Sequence, residues 1–138
     1  MVRGGLNHLA LTVSDLRASE AAFYAPVLDF LGYERVEEIP ETMTLWWNDP
    51  AGSAVNLWQA HTRDVPHDRY RPGFHHAAFA AESREAVDDL AGLLSERGIT
   101  RLEGPAEFSD YAPGYYALFF ADPEGMKFEF VHMPAIPA

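Results

Sequence analysis

The sequence predicts an α+β fold made of two tandem βαβββ modules within one 138-residue domain. The modules cover about residues 1–60 and 74–133, and a crossing segment, 61–73, joins them. Three observations predict this. One order of hydrophobic patterns, a strand, a helix and three strands, occurs twice. Gly32-Tyr33-Glu34-Arg35-Val36-Glu37 resembles Gly98-Ile99-Thr100-Arg101-Leu102-Glu103. Asp49-Pro50-Ala51-Gly52 matches Asp122-Pro123-Glu124-Gly125, and each stands before the last strand of its module. Asp first, Pro second and Gly fourth is the chemistry of a type I turn.

The elements follow in order. Leu6–Val13 alternates and is rich in apolar residues, which reads as a strand. In the next segment Leu16, Phe23, Val27 and Leu31 fall on one helical face. Ser14 or Asp15 caps that helix and Gly32 stops it. Pro26 has no N–H to donate, so it kinks or divides the helix. Strands follow at Tyr33–Glu38, Met43–Asn48 and Ser53–Ala60. The second module repeats the plan: a strand at Phe74–Ala81, a helix at Ser83–Arg97 with Val87, Leu90 and Leu94 inward, and Gly98 as its stop. Its last strands are expected at Ile99–Glu103, Tyr115–Ala121 and Lys127–His132. The interval from Gly98 to Gly125 is seven residues longer than that from Gly32 to Gly52, and the excess falls in Gly104–Gly114, read as a loop. Counting back from the turn glycines aligns Trp46 and Trp47 with Phe119 and Phe120 as core or cavity wall.

Composition narrows the function. There is no cysteine, which removes disulfides, thiolate metal sites and cysteine nucleophiles. A net charge of -11 disfavours nucleic acid as a partner, because phosphate backbones need clustered Lys and Arg. Aromatic residues make up 13%, enough to line a site for an organic ligand. No basic leader with an apolar core opens the sequence, and no apolar run approaches the roughly 20 residues of a membrane span. The expectation is a cytoplasmic protein with no membrane partner.

The sharpest local signal is Glu129, set between Phe128 and Phe130 in an apolar strand. A buried carboxylate needs a partner or a metal. The repeat supplies candidates. Aligning the first strands puts His8 on His76 and Asn7 on His75; aligning the turn glycines puts Asn56 under Glu129. Strand alternation gives His8, His76 and Glu129 the faces opposite those that pack on the helices. His75, as a strand neighbour of His76, is then expected on the other face and is not taken as a ligand. Two histidines and a carboxylate form a facial set for Fe(II), Mn(II) or a similar ion, with positions left open for substrate. Taken singly, a strand histidine is more often structural; the repeat makes the three readings depend on one another.

The stretches "NHLALTVSDL", "FYAPVLDFLGYERV", "HHAAFA" and "YYALFFADPEGMKFEF", in this order, resemble the vicinal oxygen chelate superfamily. That group spans glyoxalases, bleomycin-resistance and fosfomycin-resistance proteins, methylmalonyl-CoA epimerase and extradiol dioxygenases. The resemblance implies a cup-shaped half-barrel around one divalent ion (Fe, Mn, Ni, Zn or Co) and a homodimer as the assembly. It places His8, His76 and Glu129 at the metal-ligand positions. The fourth position, a Glu in glyoxalase I, is Asn56 here, which departs from a four-ligand glyoxalase site. The implied function is a metal-dependent lyase, isomerase or extradiol-type dioxygenase acting on a small molecule held through vicinal oxygens. The alternative is a metal-free binder of the bleomycin-resistance type. His61, His67, Tyr111 and Tyr115 are present, but none aligns to a proton-transfer role, and the Tyr-rich stretch Asp110–Tyr116 is a candidate cover for the cavity. Lys127 shares the Glu129 face by alternation.

Overall fold

The computed structural model describes residues 3–134. The chain divides into two compact units, Met1–Val65 and Pro66–Ala138. Each is a complete βαβββ module.

The first unit begins with β1, His8–Val13. A helical segment follows in three pieces: α1, Leu16–Ser19; a π-helical turn, Glu20–Tyr24; and α2, Ala25–Phe30. Asp15 is the cap, accepting from the Ala18 amide at 3.1 Å. Pro26 explains the division. It sits in the first turn of α2 and donates nothing, and the Ala25 amide before it reaches back to the Glu20 carbonyl. The wider turn rotates the apolar stripe, so Tyr24 and Leu28 are buried along with Leu16, Phe23 and Val27, while Leu31 is only half-buried. Then come β2, Glu34–Ile39; β3, Met43–Asn48; and β4, Ser53–Gln59. The strands lie in the order β1-β4-β3-β2, with β1 parallel to β4 and the other pairs antiparallel. Leu11, Val13, Val55, Leu57 and Trp46 are buried with the helical residues in one core.

The second unit repeats this with β5, His76–Ala80; α3, Arg84–Arg97; β6, Arg101–Glu107; β7, Tyr116–Ala121; and β8, Lys127–His132. Its order is β5-β8-β7-β6, again with one parallel pair. Here the helix is a single unbroken element. Ser83 caps it, and Gly98 ends it at φ 67, the left-handed region where glycine pays no steric penalty. Val87, Leu90 and Leu94 pack with Leu118, Phe120, Phe128 and Phe130.

The structure corrects three local expectations. β5 starts at His76, so His75 lies outside the strand and alternation does not direct its side chain. β6 runs on through Gly104 and a cis Pro105 to Glu107, so the expected loop is partly strand. An edge strand tolerates a residue that cannot donate to the ladder. Gly104, at φ 82, is required there because a Cβ would collide with the Ala117 carbonyl. The third concerns the tryptophans. Leu45 pairs with Asn56 and Phe119 with Glu129, so Trp46 is the counterpart of Phe120, not of Phe119. The arm between β3 and β4 is one residue longer than its equivalent, which shifts a count taken from the turn glycines.

Candidate functional site

The site is built most fully on the second sheet. Cross-strand register sets Ala78 opposite Glu129 and Phe119 on its other side, with His76 opposite Lys127. His76, Lys127 and Glu129 therefore share one face, and Phe128 and Phe130 take the other. Glu129 is 2% exposed. Its two oxygens are used differently. Oε1 lies 3.2 Å from His76 Nε2. Oε2 accepts a hydrogen bond from the Tyr115 hydroxyl. Burial, together with this bond to the carboxylate, raises the Tyr115 pKa well above its ordinary value near 10, so Tyr115 is a neutral donor throughout the physiological range.

The pair continues outward. His76 Nδ1 lies 2.7 Å from His75 Nδ1, and the His75 ring stands edge-on to Tyr70 at 5.5 Å. Desolvation, then the neighbouring His76, holds the His75 imidazole below the ordinary histidine range, which favours its neutral form. Lys127 places its ammonium 4.6 Å over the Phe119 ring. The Tyr-rich stretch packs locally: Tyr111 stacks on Phe108 at 5.7 Å and meets Tyr115 edge-on at 5.3 Å. The aromatic side chains thus build a wall beside the Glu129 carboxylate.

His8 opens β1 in the first unit and is exposed, with its Nδ1 2.8 Å from Asn7 Oδ1. Asn56 sits two pairs further along, opposite Ala10, as Glu129 sits opposite Ala78. The parallel registers therefore make Asn56 the true counterpart of Glu129. The Asn56 Oδ1 is buried and accepts no hydrogen bond from protein. Among the described residues, no group of three or more His, Asp or Glu side chains is gathered as a metal ion requires. The pair His76–Glu129 is the part of the expected set that the structure brings into direct contact.

The crossing arginines have ordinary roles. Arg63 pairs with Asp15 at 2.9 Å, and Arg69 donates to the Gly125 carbonyl at 3.1 Å. Sequence reasoning left His75 out of the site and gave Tyr115 only a place in a candidate cover for the cavity, not a bond to Glu129. Tyr115 precedes β7 at the spacing that puts it in phase with Phe119, itself opposite Glu129, and that phase was the available signal. Among the described residues, no helix is long and apolar enough to cross a membrane.

Comparison with known proteins agrees with this architecture. The chain is 30% identical over 126 residues to the uncharacterised protein YqjT of Bacillus subtilis, spanning 91% of this chain and 97% of that protein. It superposes on a candidate glyoxalase of Bacillus halodurans with a TM-score of 0.79 and 30% identity, covering 95% of this chain and 97% of that one. A lactoylglutathione lyase of Agrobacterium tumefaciens shares the fold, with a TM-score of 0.68 at 20% identity over 96% of each chain. The model of the Glyoxalase/Bleomycin resistance protein/Dioxygenase superfamily matches residues 5–130, and the chain belongs to that superfamily.

Proposed function

We propose that this protein is a divalent-metal-dependent enzyme that acts on a small organic molecule held through two neighbouring oxygens. The observation that carries the reading is the His76–Glu129 pair, in which a carboxylate 2% exposed faces an imidazole nitrogen. Two donors on one ion, with bonds of about 2.1 Å, stand roughly 3.0–3.4 Å apart. The 3.2 Å between His76 Nε2 and Glu129 Oε1 fits that edge. The donor chemistry fits as well, because one imidazole and one carboxylate suit Fe, Mn, Co, Ni or Zn. His76 and Glu129 would hold the ion, with His8 as the third ligand that the family resemblance implies. When bound, the ion acts as a Lewis acid on the substrate oxygens.

The chain's own groups do the rest. Glu129 offsets part of the positive charge that burial would otherwise penalise. The Tyr115 hydroxyl keeps Oε2 occupied and leaves Oε1 on the His76 side. Phe119 and Tyr111 supply apolar surface for an organic ligand. The assembly proposed with this reading is a homodimer, the commonest soluble symmetry.

The deciding experiment is metal analysis of protein purified without chelator, followed by titration of the stripped protein with Mn(II), Co(II) and Zn(II). One ion per chain is expected. Affinity should fall on acidification, because protons compete with the ion for the histidine nitrogens. A stripped protein that takes up none of these ions, yet binds small aromatic ligands, belongs with the metal-free binders instead.

A further inference from the structure

Each module treats its histidine in the same way. His8 is the first residue of β1, and its Nδ1 lies 2.8 Å from Asn7 Oδ1. His76 is the first residue of β5, and its Nδ1 lies 2.7 Å from His75 Nδ1. Asn7 and His75 are equivalent positions, each just outside the strand that pairs in parallel with the last strand of its module. Because they precede the strand, they escape the alternation that would send their side chains to the opposite face. Their chemistry differs, one an amide and the other an imidazole, yet the contacted atom is Nδ1 both times. The amide oxygen of Asn7 can only accept, so the His8 Nδ1 must carry the hydrogen. The His75 Nδ1 accepts in the same way when the hydrogen of that ring stands on Nε2. A neutral ring with its hydrogen on Nδ1 has its lone pair on Nε2. In the second module Nε2 faces Glu129, whose carboxylate can only accept; an ion would take the place of the Nε2 hydrogen there, and the Nδ1–H form of His76 belongs to the ion-bound state.

We infer that Asn7 and His75 are positioning residues: each ties down Nδ1 of the histidine that follows it and leaves Nε2 to bind the ion. The inference rests on the metal reading above for its purpose, although the hold on Nδ1 can be measured without metal.

The test is nitrogen-15 NMR of the imidazole rings in zinc-loaded and zinc-free protein. In the loaded protein, His8 and His76 should ligate through Nε2 and show slowly exchanging Nδ1 protons. Asn7→Ala should speed exchange at His8 alone, and His75→Ala at His76 alone. Each should weaken zinc binding by about 10- to 100-fold, as loss of an outer partner does. Asn7→Asp, which keeps the acceptor, should restore the His8 signal. Ligation through Nδ1, or variants with unchanged exchange and affinity, would overturn the inference. A wild-type protein that binds no zinc would sink the metal reading. The zinc-free spectrum then decides this inference separately: His8 held as the Nδ1–H form and mixed in Asn7→Ala supports it, and the same mixture in both overturns it.

Discussion

The two modules share a topology and a parallel register, yet each buries a glutamate, and the two glutamates stand on opposite sides of their sheets. The first module buries Glu20, 8% exposed, in the π-helical turn. Its Oε2 accepts from Thr44 Oγ1 and Trp46 Nε1, each at 2.9 Å, and Arg35 stands 3.7 Å from Oε1. Thr44 and Trp46 share the strand face that carries the core, so Glu20 belongs to the helix side. The second module buries Glu129 on the face away from its core, against His76 and Tyr115. At the position equivalent to Glu129 the first module has Asn56, whose Oδ1 has no hydrogen bond. The difference teaches that duplication kept the frame and let the charge move. One glutamate knits a helix to its sheet; the other meets a histidine and a tyrosine on the face away from the core.

The largest expected contrast is in metal affinity. Glu129→Gln should weaken binding of Mn(II) or Co(II) more than about 100-fold, beyond the range for an outer-shell group. Asn56→Ala should change it less than about threefold. Titration calorimetry on the stripped proteins measures both, and a loss at Asn56 as large as that at Glu129 would break the asymmetry.

A second contrast concerns stability. Glu20→Ala leaves the Thr44 hydroxyl and the Trp46 N–H buried without an acceptor, and should cost about 2–3 kcal/mol. Glu129→Ala in metal-free protein should cost less, about 1 kcal/mol, because its partners Tyr115 and His76 are only part-buried and can turn to water, whereas Thr44 and Trp46 cannot. Urea denaturation distinguishes the two. Equal losses would mean that Glu129 is a structural brace like Glu20.

The smallest effect is alkaline. In the folded metal-free protein Tyr115 keeps its proton above pH 10, while the unfolded chain loses it near 10. The folded state then binds more protons, so the stability from this bond, intact below pH 10, declines as pH rises above it. Ultraviolet titration of Tyr115→Phe should lack one late-ionising tyrosine. An unchanged late phase would assign it to other tyrosines, such as Tyr116, which is raised by its bond to Asp88.

Much of this architecture was legible because the repeat could be checked against itself. His8 aligned on His76 and Asn56 on Glu129, and both equivalences hold in the parallel registers. What escaped had local physical causes. The tryptophan alignment failed because one turn arm carries an extra residue, which a count from glycine cannot detect. Gly104-Pro105 read as loop because sequence pattern does not say which strand will be an edge. Glu20 was hidden although it lies four residues after Leu16, on the apolar stripe; a lone charge there was the clue. His75 was missed because it stands just outside its strand, where alternation gives no direction, whereas the phase of Tyr115 with Phe119 pointed to Glu129 and went unused.

The division at Val65 and Pro66 also bears on how the chain comes into being. Every ladder of the first sheet closes between His8 and Gln59, including the parallel pair that joins its ends. On a ribosome, nothing in that sheet has to wait for a strand still to be synthesised. Domains generally fold as units, the first-made before the rest. The apolar strands β3 and β4 can thus find their neighbours while β7 and β8, equally apolar, are still in the exit tunnel. Two modules of one topology offer each other similar apolar strands, and synthesis in order separates the two sets in time.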